Sequence, residues 1–270
     1  MTQSPLPHAL ERVPDWGRAW RATGSLVLLL DFDGTLAPIV DRPDDAELPA
    51  RTRTVLQRLL SRPGIRAAVV SGRGLEDARS RAGLPGIAYA GNHGMEIRGP
   101  DIQEVHAKAA AARPMLQQVL DTVEPRLAAI PGAIAEDKGL TLSIHYRMVG
   151  RDRVAEVQTI TREATAAHDG LRITEGKEVL EVRPRVDWHK GRAVEFLLKR
   201  FAPPPGVPVL YFGDDTTDED AFRVLLDREG GEGIRVADGE TGTTAARSFV
   251  RDPGDVAQVL EALVEEAPVG

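Results

Sequence analysis

Two aspartates two positions apart follow directly after an apolar run near the start of the chain. The run at residues 26–30 reads LVLLL and continues into Asp31 and Asp33 within the segment DFDGT. Two carboxylates this close repel each other when both are ionised, so a cation or a proton must intervene. A hard divalent cation with oxygen ligands meets this need, and Mg²⁺ is favoured when the substrate carries phosphate. The alternative is a turn in which Asp33 or Thr35 caps a short helix.

A second acidic cluster, GDDTTDED at residues 213–220, follows another apolar run. Asp214 and Asp215 come directly after that run and are candidate metal ligands. Asp218 and the two acidic residues after it open a predicted helix, where capping and the helix dipole also favour acidic side chains. Asp215 and Asp218 are therefore open to two interpretations, as groups around a metal or as helix-capping residues.

A hydroxyl and an amine complete the polar set. Ser71 follows the run IRAAVV, and its hydroxyl would suit a phosphoryl oxygen or would cap the next helix. Lys190 lies where a helix is predicted to start, an unfavourable place for a cation unless an anion binds there. A bound phosphate would remove that conflict. The alternative is a surface ion pair of Lys190 with Asp187 or Glu195, which contributes little stability.

Each of these polar groups follows an apolar run that is typical of a strand buried on both faces. The predicted strands are 26–30, 65–70, 87–90, 207–212, 234–237 and 248–250. The predicted helices between them are 48–60, 75–82, 191–201, 218–226 and 256–264. This alternation predicts an α/β fold with a doubly wound parallel sheet, in which ligands bind beyond the carboxyl ends of the strands.

Residues 106–183 interrupt this rhythm with helices and strands in a different order. We predict that they form an inserted α+β domain, and that residues 1–105 and 184–270 form the core. Gly99 and Pro184 lie near the two junctions as candidate hinges.

Two predicted strands of the insertion alternate between apolar and polar residues. In LTLSIHYR, residues 140–147, one face carries Thr141, Ser143, His145 and Arg147. In KEVLEVRP, residues 177–184, one face carries Lys177, Val179, Glu181 and Arg183. Such a face is either solvated or binds a ligand that needs both hydrogen-bond donors and acceptors, as a polyhydroxyl compound does.

The composition excludes several classes of function. The chain has no cysteine, which removes thiolate metal sites and cysteine nucleophiles, and its formal charge of −7 offers no basic field for nucleic acid. No apolar run is long enough to span a membrane, and no signal peptide is visible, so we expect a cytoplasmic location. We expect a monomer, with a leading helix that packs Trp16 and Trp20 on the core.

The motifs DFDGTL, SGR, the lysine of HKG and GDDTTDED, in this order, resemble the four motifs of the haloacid dehalogenase superfamily. The insertion lies where that superfamily carries its larger cap type. The segments AGNHGMEI, EDKGLTLSIHYR and GKEVLEVRP bring the resemblance closer, to the trehalose-6-phosphate phosphatases. The similarity extends over residues 26–250.

The resemblance implies a mechanism. Asp31 would be the nucleophile that forms an aspartyl-phosphate, and Asp33 would serve first as general acid and then as general base. Mg²⁺ would be held by the Asp31 carboxylate, the main-chain carbonyl of Asp33 and Asp214. Ser71 and Lys190 would hold the phosphoryl oxygens.

The resemblance also implies a small-molecule sugar phosphate, trehalose 6-phosphate, as the substrate, and a role in trehalose biosynthesis. The cap domain would close over it and determine specificity. The predicted substrate-binding residues are Arg73 and His93 from the core and Lys138, His145, Lys177 and Glu181 from the cap.

Three other interpretations share parts of this pattern. A sucrose- or mannosylglycerate-type phosphatase would have the same core, and a phosphomannomutase-like isomerase would share the DxDGT motif. A catalytically silent binding module is disfavoured, because Asp31, Asp33, Ser71, Lys190 and Asp214 are all present.

Overall fold

The helices and strands of the protein were assigned in a computed structural model that describes residues 6–238 and 243–268. In chain order the strands are β1 (Leu26–Leu30), β2 (Ile65–Val70), β3 (Ala88–Gly91), β4 (Glu96–Gly99), β5 (Ile102–Val105), β6 (Ile134–Asp137), β7 (Leu142–His145), β8 (Leu171–Gly176), β9 (Val179–Pro184), β10 (Val209–Gly213), β11 (Gly231–Val236) and β12 (Ser248–Val250). The α-helices are α1 (Ala9–Thr23), α2 (Ala50–Leu60), α3 (Leu75–Ala82), α4 (Ala107–Ala111), α5 (Arg113–Leu127), α6 (Val154–Ala166), α7 (Lys190–Phe201), α8 (Glu219–Leu226) and α9 (Pro253–Glu265).

The chain packs as two compact units. The core unit comprises the residues up to Gly72, then Glu76–Gln103, and the residues from Trp188 onward. The inserted unit comprises Arg73–Leu75 and Glu104–Asp187. The insertion predicted at 106–183 lies inside the longer segment of the inserted unit.

The core unit is built on a sheet with the strand order β12-β11-β10-β1-β2-β3-β4-β5. The strands from β12 to β3 are parallel to their neighbours, and β4 pairs antiparallel with β3. All five residues of β1 are buried, which explains why its sequence is apolar throughout rather than alternating. The predicted α/β fold with a parallel-sheet core is confirmed.

Helices cover both faces of this sheet. On one face, Val194 and Leu197 of α7 and Phe222 of α8 join a core cluster with Val27 and Leu29 of β1. The alternate β1 residues point to the opposite face and are also fully buried. Elsewhere α2 packs against β2 and α9, and α9 packs against α1.

The bounds of β3 and β10 differ from the prediction by one or two residues, and larger differences concern β11 and two additional strands. β11 begins at Gly231, three residues before the predicted start, because its first three residues, GEG, form no apolar run. Packing accounts for one of these glycines, since a Cβ at Gly233 would lie 2.6 Å from the ring of Phe222. The short strands β4 and β5 were not predicted. Most of their residues are partly or fully exposed, so they lack the continuous apolar run that reveals β1 and β2.

The inserted unit contains an antiparallel sheet with the order β6-β7-β9-β8. Its apolar face packs on α5 and α6 through Leu142, Ile144, Leu180 and Val182. This is the alternation predicted from LTLSIHYR and LEVR. The opposite face carries Glu136, Ser143 and Glu181, which are aligned across β6, β7 and β9 by the strand register.

Candidate active site

Four neighbouring parallel strands end at one edge of the core sheet. β10, β1, β2 and β3 are adjacent and run in the same direction. Their carboxyl ends therefore deliver the segments 214–218, 31–35, 71–73 and 92–94 to the same edge, as expected for a ligand site in a parallel sheet.

Asp31 is buried directly after β1, and its backbone N–H donates to the Phe212 carbonyl of β10 at 2.9 Å. The chain then turns sharply, with Gly34 at a φ of +76°. A Cβ at Gly34 would lie 2.2 Å from Asp214 Oδ2. Glycine is thus needed both for the left-handed conformation and for the close approach to the Asp214 carboxylate.

Asp33 and Thr35 complete this turn. Asp33 is half-buried and forms a backbone bridge with Ala37, and the Gly34 N–H donates to the Ala37 carbonyl at 2.8 Å. Thr35 is fully buried, and its hydroxyl has no hydrogen-bond partner within the described part of the chain. No helix begins in residues 31–42, so neither Asp33 nor Thr35 acts as the helix cap considered as the alternative for DFDGT.

Three carboxylates converge at the site. Asp31, Asp214 and Asp218 each offer an oxygen, and these atoms lie within 4.8 Å of one another. Burial raises the pKa of Asp31 well above its usual range, although the charge of Lys190 opposes the shift. Burial and the charge of Asp218 raise the pKa of Asp214 to about 7, again opposed by Lys190. A hard divalent cation relieves such repulsion and prefers oxygen ligands, so the donor set fits Mg²⁺.

Lys190 is the first residue of α7 and is buried between two of these carboxylates. Its Nζ lies 2.8 Å from Asp31 Oδ1 and 2.7 Å from Asp218 Oδ1. Burial by itself lowers the pKa of Lys190, but the charges of Asp218 and Asp31 outweigh it and the net shift is upward. The lysine is therefore held as a cation beside Asp31, and it is not the surface lysine of the alternative interpretation.

Asp218 and Asp215 cap the turn after β10. The Asp215 side chain accepts from the Asp218 backbone N–H, and Asp218 Oδ2 accepts from the Asp215 N–H at 3.0 Å, which together form a capping box. The Asp215 carboxylate also accepts from the Thr216 N–H at 2.6 Å. Both oxygens of Asp218 are thus engaged by the protein, since Oδ1 contacts Lys190. Asp218 serves as a cap and as the anchor of Lys190, whereas Asp31 and Asp214 are the carboxylates suited to a metal.

Ser71 and His93 occupy the ends of β2 and β3. Ser71 is buried, its N–H donates to the Ala90 carbonyl at 2.9 Å, and its carbonyl accepts from the His93 N–H at 2.9 Å. His93 has a φ of +56°, and its ring lies so close to Gly72 that a Cβ there would be 2.9 Å from Cε1. The two loops are therefore locked together.

Three of the predicted substrate-binding residues, Lys138, His145 and Glu181, lie on or beside the polar face of the inserted unit. His145 Nε2 contacts Glu136 Oε2 at 2.8 Å, and Lys138 Nζ contacts Glu181 Oε1 at 3.4 Å. Burial alone would raise the pKa of Glu136, but the hydrogen bond from His145 and the charge of Lys138 lower it. Donors and acceptors therefore alternate on this face.

Two predicted residues lie outside this face. Lys177 is exposed in the turn between β8 and β9. The alternation predicted for residues 177–184 therefore begins only at Val179, the first residue of β9. Arg73 was predicted to belong to the core, but it falls in the inserted unit, where it is buried in the link between β2 and α3.

Sequence reasoning missed two participants. Tyr211 of β10 donates its hydroxyl to Asp218 at 2.6 Å, and a phenol within an otherwise apolar strand was the available signal. Glu136 contacts His145, and the register of a β6–β7 hairpin would have placed the two on one face.

None of the helices in the described ranges 6–238 and 243–268 has the length and apolar character needed to cross a bilayer.

The fold is that of haloacid dehalogenase-like hydrolases. It is similar to a haloacid dehalogenase-like hydrolase from Bacteroides thetaiotaomicron, with a TM-score of 0.58, 16% identity and coverage of 88% of this chain and 98% of that chain. It is also similar to the C. albicans trehalose-6-phosphate phosphatase C-terminal domain, with a TM-score of 0.79, 23% identity and coverage of 98% and 99%.

The sequence matches the family model described as Trehalose-phosphatase over residues 29–254, and the chain belongs to this family. It is 39% identical over 270 residues to the trehalose-phosphate phosphatase of Mycobacterium marinum, covering 97% of this chain and 67% of that protein. It is 38% identical over 251 residues to trehalose-phosphate phosphatase B of Arabidopsis thaliana, covering 89% and 66%. The chain therefore spans about two thirds of the length of these relatives. The predicted class, a phosphoric monoester hydrolase of the haloacid dehalogenase type, is confirmed.

Proposed function

We propose that the protein hydrolyses trehalose 6-phosphate to trehalose and inorganic phosphate, as a step of trehalose biosynthesis. The family match and the names of the relatives support this substrate. The observation that carries the chemistry is the buried Asp31 at the end of β1, with the Lys190 ammonium 2.8 Å from its carboxylate.

Asp31 is the nucleophile of this reaction. A carboxylate oxygen of Asp31 attacks phosphorus, the bond between phosphorus and the sugar oxygen breaks, and an aspartyl-phosphate forms. Asp33 donates a proton to the leaving sugar oxygen. Asp33 then accepts a proton from the water that hydrolyses the acyl phosphate, which restores both carboxyl groups.

The remaining core residues manage charge. The Asp31 carboxylate, the main-chain carbonyl of Asp33 and the Asp214 carboxylate would hold Mg²⁺, which would supply positive charge to offset that of the phosphoryl oxygens. Lys190 and the Ser71 hydroxyl bind those oxygens and hold the group in line with Asp31. The position of Lys190 at the first turn of α7 supports this role, because the helix N-terminus also favours an anion.

The inserted unit serves as the specificity domain. Its polar face offers the ammonium of Lys138, the imidazole of His145 and the carboxylate of Glu181, which together donate to and accept from sugar hydroxyls. Arg73, His93 and Lys177 complete the proposed substrate-binding set.

The test is phosphate release in the presence of Mg²⁺ from trehalose 6-phosphate, sucrose 6-phosphate, glucose 6-phosphate and mannosyl phosphoglycerate. We expect trehalose 6-phosphate to be preferred by about 100-fold or more in kcat/KM, since a site built to hydrogen-bond its substrate rejects analogues strongly. Equal turnover of all four compounds would contradict the proposed substrate.

The Asp31→Asn variant tests the mechanism. It removes the nucleophile but keeps the shape of the side chain, so we expect kcat to fall by about 10³-fold or more. A beryllium fluoride adduct of the native protein should form on the Asp31 carboxylate. Activity that survives in Asp31→Asn, or an adduct on another residue, would rule out the mechanism.

A further inference from the structure

The hydroxyl of Tyr211 is buried beside the site but belongs to no role assigned above. Tyr211 lies in the middle of β10, is fully buried, and packs its ring edge-on against Phe222 with 5.7 Å between the centroids. The hydroxyl donates to Asp218 Oδ1 at 2.6 Å. A buried phenol needs a partner, and this one is a carboxylate that contacts the site lysine.

The orientation of Asp218 is determined by three protein donors. Oδ1 accepts from Tyr211 and from Lys190 Nζ, at 2.6 and 2.7 Å, and Oδ2 accepts from the Asp215 N–H at 3.0 Å. The exposed fraction of Asp218 is 0%, so its carboxylate is shielded from bulk solvent. A Cβ at Gly213 would lie 2.3 Å from the Asp218 carboxyl carbon, so the carboxylate is also confined sterically.

Lys190 is shared between two carboxylates at nearly equal distances. Its Nζ lies 2.7 Å from Asp218 Oδ1 and 2.8 Å from Asp31 Oδ1. Tyr211 and Lys190 donate to the same oxygen of Asp218 and compete for its electron density, so the tyrosine hydroxyl weakens the attraction of that carboxylate for Lys190. Without the tyrosine hydroxyl, Lys190 would be drawn toward Asp218 and away from Asp31.

We propose that Tyr211 is a positioning residue for phosphoryl transfer: by donating to Asp218, it sets the place of the Lys190 ammonium relative to Asp31. Tyr211 touches neither the substrate nor the reacting atoms and acts through Asp218. This inference rests on the proposed function of Asp31 and Lys190 in the hydrolysis.

The first experiment compares Tyr211→Phe with Tyr89→Phe. Tyr89 of β3 is a matched control, because its buried hydroxyl is also hydrogen-bonded, to the Leu84 carbonyl at 2.7 Å and the Leu84 N–H at 2.9 Å. We expect Tyr211→Phe to lower kcat by about tenfold or more with KM changed by less than about twofold, because the transition state is affected and ground-state binding is not. Tyr89→Phe should lose thermal stability and keep its kcat. If the two variants have the same kcat, the proposal is wrong.

The second experiment repeats Tyr211→Phe in the background of Asp218→Asn. If Tyr211 acts through Asp218, its removal changes kcat by less than about twofold once the carboxylate is gone. A full tenfold effect in both backgrounds would show an independent role and would overturn the proposal. If Asp218→Asn does not fold, the comparison of Tyr211→Phe with Tyr89→Phe decides alone.

The variants are assayed on trehalose 6-phosphate and on p-nitrophenyl phosphate, which needs phosphoryl transfer but no sugar recognition. A native protein that hydrolyses only p-nitrophenyl phosphate would refute the proposed substrate. The effect of Tyr211→Phe would still be measured on p-nitrophenyl phosphate. A failure of the proposed substrate can therefore be distinguished from a failure of the proposed role of Tyr211.

Discussion

At the scale of single residues, the core site concentrates buried charge that folding alone does not favour. Asp31, Asp214 and Asp218 share one cation, Lys190, within the described residues around them. Burying three carboxylates with one ammonium leaves like charges in contact, which costs stability unless a further cation binds. Such imbalance is typical of functional sites.

This imbalance predicts that Mg²⁺ binding depends on Asp214. We expect Asp214→Asn to raise the Mg²⁺ concentration for half-maximal activity by about tenfold or more. Loss of a residue that only supports a metal ligand typically lowers metal affinity by about tenfold or more, and loss of the ligand itself should lower it at least as much. Activity is measured after dialysis against a chelator and titration with Mg²⁺. Asp215→Asn is the matched control, because asparagine also caps helices and the Mg²⁺ requirement should stay unchanged. An equal shift in both variants would contradict the assignment.

A second residue-scale prediction concerns Gly34. Gly34 has a φ of +76° and faces the Asp214 carboxylate, whereas Gly24 has a φ of +67° with nothing within 4 Å of an added Cβ. We expect Gly34→Ala and Gly24→Ala each to cost about 1 kcal/mol of stability through backbone strain. Only Gly34→Ala should also lower kcat, since its methyl group displaces Asp214. Chemical denaturation and steady-state kinetics check both parts, and an unchanged kcat in Gly34→Ala would refute the second.

At the scale of elements, the Asp255 carboxylate links α9 to the beginning of α1. Asp255 of α9 accepts from the Arg251 side chain at 2.7 and 3.0 Å and from its N–H at 3.1 Å, and it contacts His8, the residue that caps α1, at 3.2 Å. These hydrogen bonds, chiefly from the Arg251 side chain, hold the pKa of Asp255 well below its usual range, although burial opposes them.

This arrangement predicts a pH dependence with a definite sign. Folding lowers the pKa of Asp255, so its ionised carboxylate stabilises the folded protein fully when the pH is above the pKa of the unfolded state, about 3.9. This stabilisation is lost as the pH falls below that value. We expect Asp255→Asn to lower the Tm at pH 7 by roughly 2–4 °C and to flatten the loss of stability between about pH 5 and 3.

The control for this prediction is Asp15→Asn. Asp15 is an exposed residue of α1 that pairs with Arg12 and Arg18 on the surface, where ion pairs contribute little. Thermal melts from pH 7 to 3 would show whether the two variants differ. An Asp255→Asn curve that runs parallel to that of the native protein would mean that Asp255 is not the group responsible.

At the scale of the whole molecule, the proposed function assigns chemistry to the core unit and substrate recognition to the inserted unit. The core unit carries Asp31, Asp214 and Lys190, and the inserted unit carries Lys138 and Glu181 on its polar face. Each unit has its own hydrophobic core, so substitutions on the polar face of the inserted sheet need not disturb the core unit.

This division predicts a change of selectivity without a loss of chemistry. We expect Lys138→Met to raise the KM for trehalose 6-phosphate by about tenfold, the effect of one lost charged hydrogen bond, and to leave p-nitrophenyl phosphate turnover unchanged. Lys108→Met, the same change at an exposed site on α4, should affect neither substrate. A parallel loss on both substrates in Lys138→Met would count against separate roles.

Much of the core and of the candidate site could be predicted from local sequence. β1 and β2 were recognisable because strands buried on both faces must be apolar, and the polar residues that follow them must lie at the sheet edge. The strands β4 and β5 could not be recognised, because half-exposed edge strands carry no such pattern. Lys177 shows the same limit, since alternation does not reveal where a strand gives way to a turn.

The sequence by itself determined the α/β core, the inserted unit and the placement of Asp31, Ser71, Lys190 and Asp214 at strand or helix ends, because these depend on short-range pattern. Only the tertiary structure decided that Asp218 engages Lys190 and Tyr211, and that Glu136 engages His145. Contacts between side chains on different elements depend on strand order, register and burial. A linear pattern constrains these only weakly.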